Sequence, residues 1–220
     1  MVKVLDQGFV ELVDAMGSDL SVVNAARVSF GNRKEELDAK DAGLVRYLWR
    51  HEHTSPFRHA TVQFHLRAPI FVLRQWMKHQ VGCSWNEISG RYVKFEPSFY
   101  LPDNWREQHE SNKQGSKGSI DNQDAASAVY SACLDQQYAA YNELLELGVC
   151  KEQARMVMPL AMYSECYWTA SLQAVMHFLR LRLDSHSQWE TRQFAAAVKA
   201  LVEERFKTSL SLIEMPSDLK

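Results

Sequence analysis

Apolar and polar positions alternate from the first residues of this chain. Val2 and Val4, then Phe9, Val10, Leu12 and Val13, predict one or two opening strands within residues 1–14. Asp19 to Val28 reads as a short helix. Leu44, Val45, Leu48 and Trp49 then recur at helical spacing, with Asp41 as the expected cap. That helix must end near His53, because Thr54-Ser55-Pro56 follows. Ala60 to Ala68 carries the sharpest strand pattern, with Val62, Phe64 and Leu66 on one side and Thr61, Gln63, His65 and Arg67 on the other. Pro69 suits the first turn of a helix running from Ile70 to His79, on which Arg74 and Lys78, and Gln75 and His79, form one polar flank. After Gly82 the pattern turns extended, so Glu87, Ser89 and Arg91 are expected on one side of a strand.

Residues 103–123 are polar and poor in aliphatics, which predicts a surface loop. Beyond it the periodicity is helical. Asp124 to Leu147, with Val129, Cys133 and Leu144, is closed by Gly148, and a short helix through Arg155 leads to Pro159. Glu165 to Leu183 is apolar nearly all round and predicts a helix buried in the core or between subunits. Ser185-His186-Ser187-Gln188 reads as a capping box opening a last helix that runs to about Phe206. Strands and helices first, then helices, predict an α+β architecture: a single domain over residues 1–220 with a helical C-terminal half.

Composition narrows the function classes. With 220 residues, 46% hydrophobic and 24% charged, and a formal net charge of -2, the chain has the profile of an ordinary globular enzyme or binding protein. That charge argues against a general nucleic-acid or membrane-surface binder. Cys83, Cys133, Cys150 and Cys166 form no CxxC pair, as expected of thiols in a reducing cytoplasm. Asp6, Glu11 and Asp14 interrupt any early apolar run, so neither a signal peptide nor a membrane span is expected. His51, His53 and His59 match no zinc spacing, and no metal site is expected.

The stretch from Arg74 to Tyr92 mixes cations, amides, hydroxyls and a carboxylate with Trp76, Val81, Trp85 and Ile88. Such a mixture places polar groups at the edge of a core and aims them at a ligand. Phosphate is the first candidate, because Arg74, Lys78 and Arg91 lie close in sequence and Arg155 and Arg182 sit in otherwise apolar helices. Internal pairing of Arg182 with Asp184 or Glu190 is the competing explanation. Cys83 and Ser89 lie near His79, a spacing that leaves both a nucleophile and simple packing open. Neither GxGxxG nor GxxxxGK[ST] occurs, so a nucleotide would be held by side chains and strand edges.

These same residues resemble a known family. Lys78-His79-Gln80 followed by Ser84-Trp85-Asn86-Glu87-Ile88-Ser89-Gly90-Arg91-Tyr92 is similar to the signature of the flavin-dependent thymidylate synthases (ThyX), an Arg-His-Arg run followed by Ser in an Asn-Glu-x-Ser-x-Arg-Tyr setting. The resemblance continues in order through His53–His59, Ala68–Val72, Ala154–Pro159 and Leu181–Glu190, nearly the whole chain. It implies a cytoplasmic homotetramer, with active sites at subunit interfaces, that converts dUMP to dTMP. 5,10-Methylenetetrahydrofolate would supply the carbon, FAD reduced by NADPH the hydride, and no enzyme nucleophile would be needed. Arg182 matches the catalytic arginine that polarises the uracil ring, while Gln75, Lys78, Glu87, Ser89, Gly90, Arg91 and Arg155 match the other dUMP contacts. Ser55, Lys78, His79, Gln80, Val81, Glu87, Ser171, Gln173 and His177 match FAD positions, and His53 the folate or NADPH side. The chain departs from the pattern in three places. Lys78 and Gln80 replace arginines, eight residues and not seven separate Gln80 from Ser89, and Ser171 and Gln173 stand where some members have Asn and Arg. Lysine keeps the charge without the planar fork, and glutamine loses the charge. Two rival readings remain at this point: a nucleotide-modifying enzyme with Cys83 as nucleophile, and a nucleotide-binding protein without catalysis.

Overall fold

In the computed structural model, which describes residues 1–96 and 98–214, the alternating segment after Ala60 becomes the middle of a five-stranded antiparallel sheet. The order is β1 (Val2–Val4), β2 (Gly8–Met16), β3 (Thr61–Pro69), β7 (Tyr163–Ser171) and β4 (Cys83–Glu87). A separate two-stranded pair, β5 (Glu107–Gln108) and β6 (Ser116–Lys117), lies inside the polar 103–123 region. The helices are α1 (Asp19–Arg27), α2 (Ala39–Arg50), α3 (Ile70–Trp76), α4 (Gln123–Glu146), α5 (Lys151–Ala154), α6 (Leu172–Arg182), α7 (Trp189–Val202) and α8 (Lys207–Leu210). The α+β class is therefore as expected, with a C-terminal half that is mainly helical.

One face of the sheet makes the core. Val62, Phe64 and Leu66 of β3 and Cys166, Trp168 and Ala170 of β7 are buried there against Val175, Phe178 and Leu179 of α6 and Phe194 and Val198 of α7. Trp76, the last residue of α3, stacks on Phe178 at 4.6 Å and meets Trp168 edge-on at 5.1 Å. Aromatic pairs of this kind add about 0.5–1.5 kcal/mol each beyond the area they bury. The opposite face stays polar: His65 stacks on Tyr167 at 5.0 Å, with its Nε2 3.3 Å from Glu165.

The main correction concerns Glu165 to Leu183. It is not one helix: β7 runs to Ser171, whose side chain then caps α6 by accepting from the Ala174 amide at 3.3 Å. The burial of β7 alternates with period two, but apolar residues occur on both of its faces and mask that period in the sequence. Smaller corrections follow from local hydrogen bonding. Asp38, not Asp41, is the N-cap of α2, and Asp41 is the third helical residue that completes the capping box. α3 stops at Trp76, so Lys78 and His79 lie beyond it and share no helical flank. β4 ends at Glu87, and Ser89 and Arg91 sit in a turn and not on the strand. α7 opens at Trp189 after Gln188, which makes no side-chain cap bond, and it ends at Val202, short of Phe206, with α8 following from Lys207. Along α4 only Leu134 and Tyr141 are buried, while Val129 and Leu147 are exposed.

One buried carboxylate ties the two ends of the described chain together. Asp19 Oδ1 accepts from the Ser209 amide at 3.0 Å and the Ser209 hydroxyl at 2.6 Å, and Oδ2 accepts from the Thr208 amide at 2.6 Å. Removing the acceptor leaves several buried donors unpaired, so Asp19→Ala is expected to destabilise the fold by about 3 kcal/mol. Thermal unfolding should then shift down by roughly 6–12 °C. A variant that melts with the parent would mean that these bonds add nothing net.

Candidate functional site

The chain leaves β4 at Glu87 beside the start of β7, where the Ile88 amide donates to the Glu165 carbonyl at 2.9 Å. It then turns back on itself: the Tyr92 and Val93 amides donate to the Ser89 carbonyl at 3.0 and 3.2 Å, and the Arg91 amide donates to Ser89 Oγ at 3.3 Å. Gly90 lets this turn pack, because a Cβ there would lie 2.3 Å from the Phe95 ring. Glu87, Ser89, Gly90 and Arg91 thereby line a cavity of about 380 Å³ together with Arg155, from the 3₁₀ turn Arg155–Val157 that follows α5. Ile70, Phe95, Met158 and Met162 supply its apolar walls.

The charges in this cavity are poised for an anion. Glu87 Oε1 accepts from Ser164 Oγ at 2.6 Å. The Arg91 guanidinium rests over the Tyr92 ring at 5.3 Å, and Arg155 Nε donates only to the Glu152 carbonyl at 3.4 Å. Among the described residues, neither arginine has a carboxylate within ion-pair distance. Two uncompensated forks and one carboxylate leave a net positive recess that can take a phosphate, with Glu87 free to accept from a hydroxyl.

A second group forms around the end of α6. Arg182 Nε donates to His79 Nε2 at 3.0 Å, and Arg182 Nη2 donates to the Gln75 carbonyl at 3.1 Å. The side chain of Gln75 is held in turn by Gln188, Nε2 to Oε1 at 2.5 Å. Pairing of Arg182 with Asp184 or Glu190 does not occur: Asp184 holds His186 at 2.8 Å, and Glu190 holds Arg106 at 2.6 Å. Burial lowers the Arg182 pKa from its usual value. His79 is buried, and that burial, with the positive charges of Arg182 and His177 nearby, pushes its pKa down to about 4. At pH 7 the ring is therefore neutral, with Nε2 as acceptor and its proton on Nδ1.

The positions expected to face the flavin are more dispersed. Gln173 and His177 line a cavity of about 330 Å³ with Trp49, Glu52, Thr54 and Arg180. Arg58 fastens this corner, donating to Gln173 Oε1 at 2.5 Å and to Thr54 Oγ1 at 3.4 Å. Burial, together with Arg180 and Arg182, lowers the His177 pKa, and its ring lies 5.5 Å from that of His79. Ser55 begins the 3₁₀ turn next to Thr54, and the ring of His53 stands 6.0 Å from Tyr47. Lys78, Gln80 and Val81 are on the turn after α3, and all three are exposed. Ser171 is committed to capping α6.

The expected site residues thus fall into two sets within one chain. Glu87, Ser89, Gly90, Arg91 and Arg155 share a cavity; Gln75, His79, Arg182, His177 and Gln173 gather near α6; Lys78 lines neither cavity. Three polar partners have no signal in the sequence pattern: Ser164 borders the segment that reads as a helix, Gln188 falls in the expected capping box, and Arg58 lies 115 residues from its partner Gln173. A further cavity, about 550 Å³ between Phe71, Tyr100, Trp105 and Leu160, contains none of the expected residues. Cys83 is half-buried, and burial raises its thiol pKa, which disfavours the thiolate that a nucleophile requires. Among the described residues no His, Cys, Asp and Glu cluster could hold a metal ion, and no helix is long and apolar enough to cross a membrane.

Residues 11–206 match the sequence profile of a family described as thymidylate synthase complementing protein. A flavin-dependent thymidylate synthase of Thermus thermophilus is 46% identical over 213 residues, covering 97% of this chain and 78% of that protein. One from Thermotoga neapolitana is 46% identical over 204 residues, covering 93% and 89%. Among solved structures, a UMP/dUMP methylase, PolB from Streptomyces cacaoi bound with 5-Br dUMP, superposes with a TM-score of 0.85 at 34% identity, covering 96% of each chain.

Proposed function

The chain belongs to the flavin-dependent thymidylate synthase family, a family of methyltransferase enzymes, and on that premise we propose that it converts dUMP to dTMP with 5,10-methylenetetrahydrofolate as carbon donor and FAD reduced by NADPH as hydride source. The observation that carries this reading is the convergence of Glu87, Ser89, Gly90, Arg91 and Arg155 on one cavity whose two arginines have, among the described residues, no carboxylate within ion-pair distance. Arg91 and Arg155 are assigned the nucleotide phosphate, Glu87 a sugar hydroxyl, and Ser89 a hydrogen bond to the bound nucleotide.

Arg182 is assigned the uracil ring. Its cationic guanidinium stabilises the negative charge that the ring develops as C5 attacks the one-carbon unit, a favourable interaction wherever a preorganised donor meets developing charge. Gln75 and Lys78 complete the nucleotide contacts. No enzyme nucleophile takes part, and Cys83→Ala is expected to keep turnover within about threefold of the parent, the scale of a mutation of well under 1.4 kcal/mol. Loss of all dTMP formation in that variant would restore the cysteine mechanism.

FAD, when bound, supplies the hydride. Ser55, His79, Gln80, Val81, Ser171, Gln173 and His177 are the positions assigned to it, with Lys78 and Glu87 shared with dUMP and His53 on the folate or NADPH side. The amide of Gln173 and the imidazole of His177 at an open cavity are suitable partners for a polar cofactor, although about 330 Å³ in one chain encloses only part of a molecule that large. The separation of the two residue sets supports a homotetramer in which a neighbouring copy brings the Arg182 group to the Arg91–Arg155 cavity. Val81, Ile88, Tyr92 and Met156, exposed along the segments that carry the site, suit burial against that neighbour. One domain over residues 1–220 and a cytoplasmic location complete the proposal.

Purified protein tests it directly. We expect yellow protein with flavin absorbance, a tetramer in solution, and dTMP that forms only when dUMP, methylenetetrahydrofolate and NADPH are all present. UMP belongs in the same assay, because PolB is a methylase of both UMP and dUMP. Colourless protein that also fails to bind added FAD would sink the proposal, and preference for UMP would reassign the substrate.

A further inference from the structure

We infer that His79 is a positioning residue that fixes the orientation in which Arg182 meets its ligand, by accepting the guanidinium Nε–H at Nε2 beside the Gln75 carbonyl. The inference rests on the assignment of Arg182 to the pyrimidine and adds the device that aims it.

An arginine has five N–H donors on a planar fork. Nε and Nη2 lie along one side edge of that plane, and both are engaged internally, at 3.0 Å by His79 and at 3.1 Å by the Gln75 carbonyl. The two N–H groups of Nη1 and the second N–H of Nη2 have no partner among the described residues. A guanidinium gripped by its side edge presents its end edge, and an end edge offers two parallel donors. That geometry matches a pyrimidine ring nitrogen that has lost its proton together with the carbonyl oxygen beside it.

Only a neutral imidazole can complete this grip, since a protonated one would set two donors against each other. The setting keeps it neutral. The ring is 8% exposed, stands edge-on to Phe178 at 5.3 Å, and faces the charge of Arg182 and the ring of His177, with Lys78 next in the chain. The Gln75 carbonyl is fixed as well, because Gln188 holds that residue's side chain. His79 therefore has a function separate from flavin contact.

The test is a set of variants in the flavin-loaded enzyme. His79→Leu is expected to lower kcat about 10²-fold, the scale of a misaimed group at a reacting centre. That rate is taken per bound flavin, read by absorbance, because His79 is also a position assigned to the flavin. His79→Gln, whose Oε1 reaches the same acceptor position, should recover most of the loss. In an Arg182→Ala background, His79→Leu should have almost no further effect, because it acts through the missing group. An undiminished effect in that background, no recovery by glutamine, or a loss explained by flavin release would each overturn the inference. A readout independent of turnover is the Arg182 Nε–H resonance in ¹⁵N-labelled protein. It should exchange slowly in the parent and in His79→Gln, and rapidly in His79→Leu. A rapidly exchanging parent signal overturns the clamp even in an enzyme that methylates dUMP. A protected signal in protein that cannot methylate dUMP overturns the proposed function alone.

Discussion

Arg182→Ala is expected to lower kcat for dTMP formation by about 10²–10³-fold, the range seen when one preorganised charge-stabilising donor is removed. The loss should appear mainly in kcat, because the phosphate grip of Arg91 and Arg155 is untouched and ground-state binding survives. Arg182→Lys keeps the charge but has no Nε–H for His79 and no planar end edge, so it should recover only a small part of the rate. The assay is steady-state dTMP formation at saturating dUMP, with flavin content matched by absorbance. If the alanine variant turns over at the parental rate, Arg182 is only a structural residue of α6. Its partial burial and its lack of a carboxylate partner among the described residues argue against that, since a guanidinium held by one imidazole and one carbonyl keeps three donors for something else.

The sequence was most legible where one side of an element is dry and the other wet. β3 has that property along its whole length, and Thr61–Pro69 emerges as read, shifted by one residue. β7 lacks it. Cys166, Trp168 and Ala170 face the core, but Tyr167 is apolar enough on the open face to blur the period, and the run continues directly into α6. Helix starts depended on which of two nearby acids is the cap, and Asp38 and Asp41 in one capping box are not separable by residue type. The 74–92 stretch announced a ligand site, but the partners of its residues come from far away. Arg182 is 103 residues from His79, Ser164 is 77 from Glu87, and Gln188 is 113 from Gln75. Spacing describes neighbours along an element, whereas sheet order decides which elements meet. Placing β4 beside β7 brought Glu87 to Ser164, and no periodicity could supply that pairing.

Arg91→Ala combined with Arg155→Ala is expected to weaken dUMP binding by on the order of 10³-fold, since each charge-assisted hydrogen bond contributes about 1.5–3 kcal/mol. Calorimetric titration of dUMP into flavin-loaded protein measures it, and deoxyuridine, which lacks the phosphate, supplies the control. The parent should bind deoxyuridine far more weakly than dUMP, and the double variant should bind the two almost equally. Each single variant should fall between, with Arg155→Ala the more damaging: Arg155 also packs beside Gly90, whereas Arg91 extends over the exposed Tyr92 ring. Rising salt should weaken the parent more than the double variant, because screening acts on the charges that the variant has lost. Equal discrimination between dUMP and deoxyuridine in parent and variant would place the phosphate elsewhere. The natural alternative is then Lys78, which lies beyond α3 and keeps a full charge where the family signature has arginine.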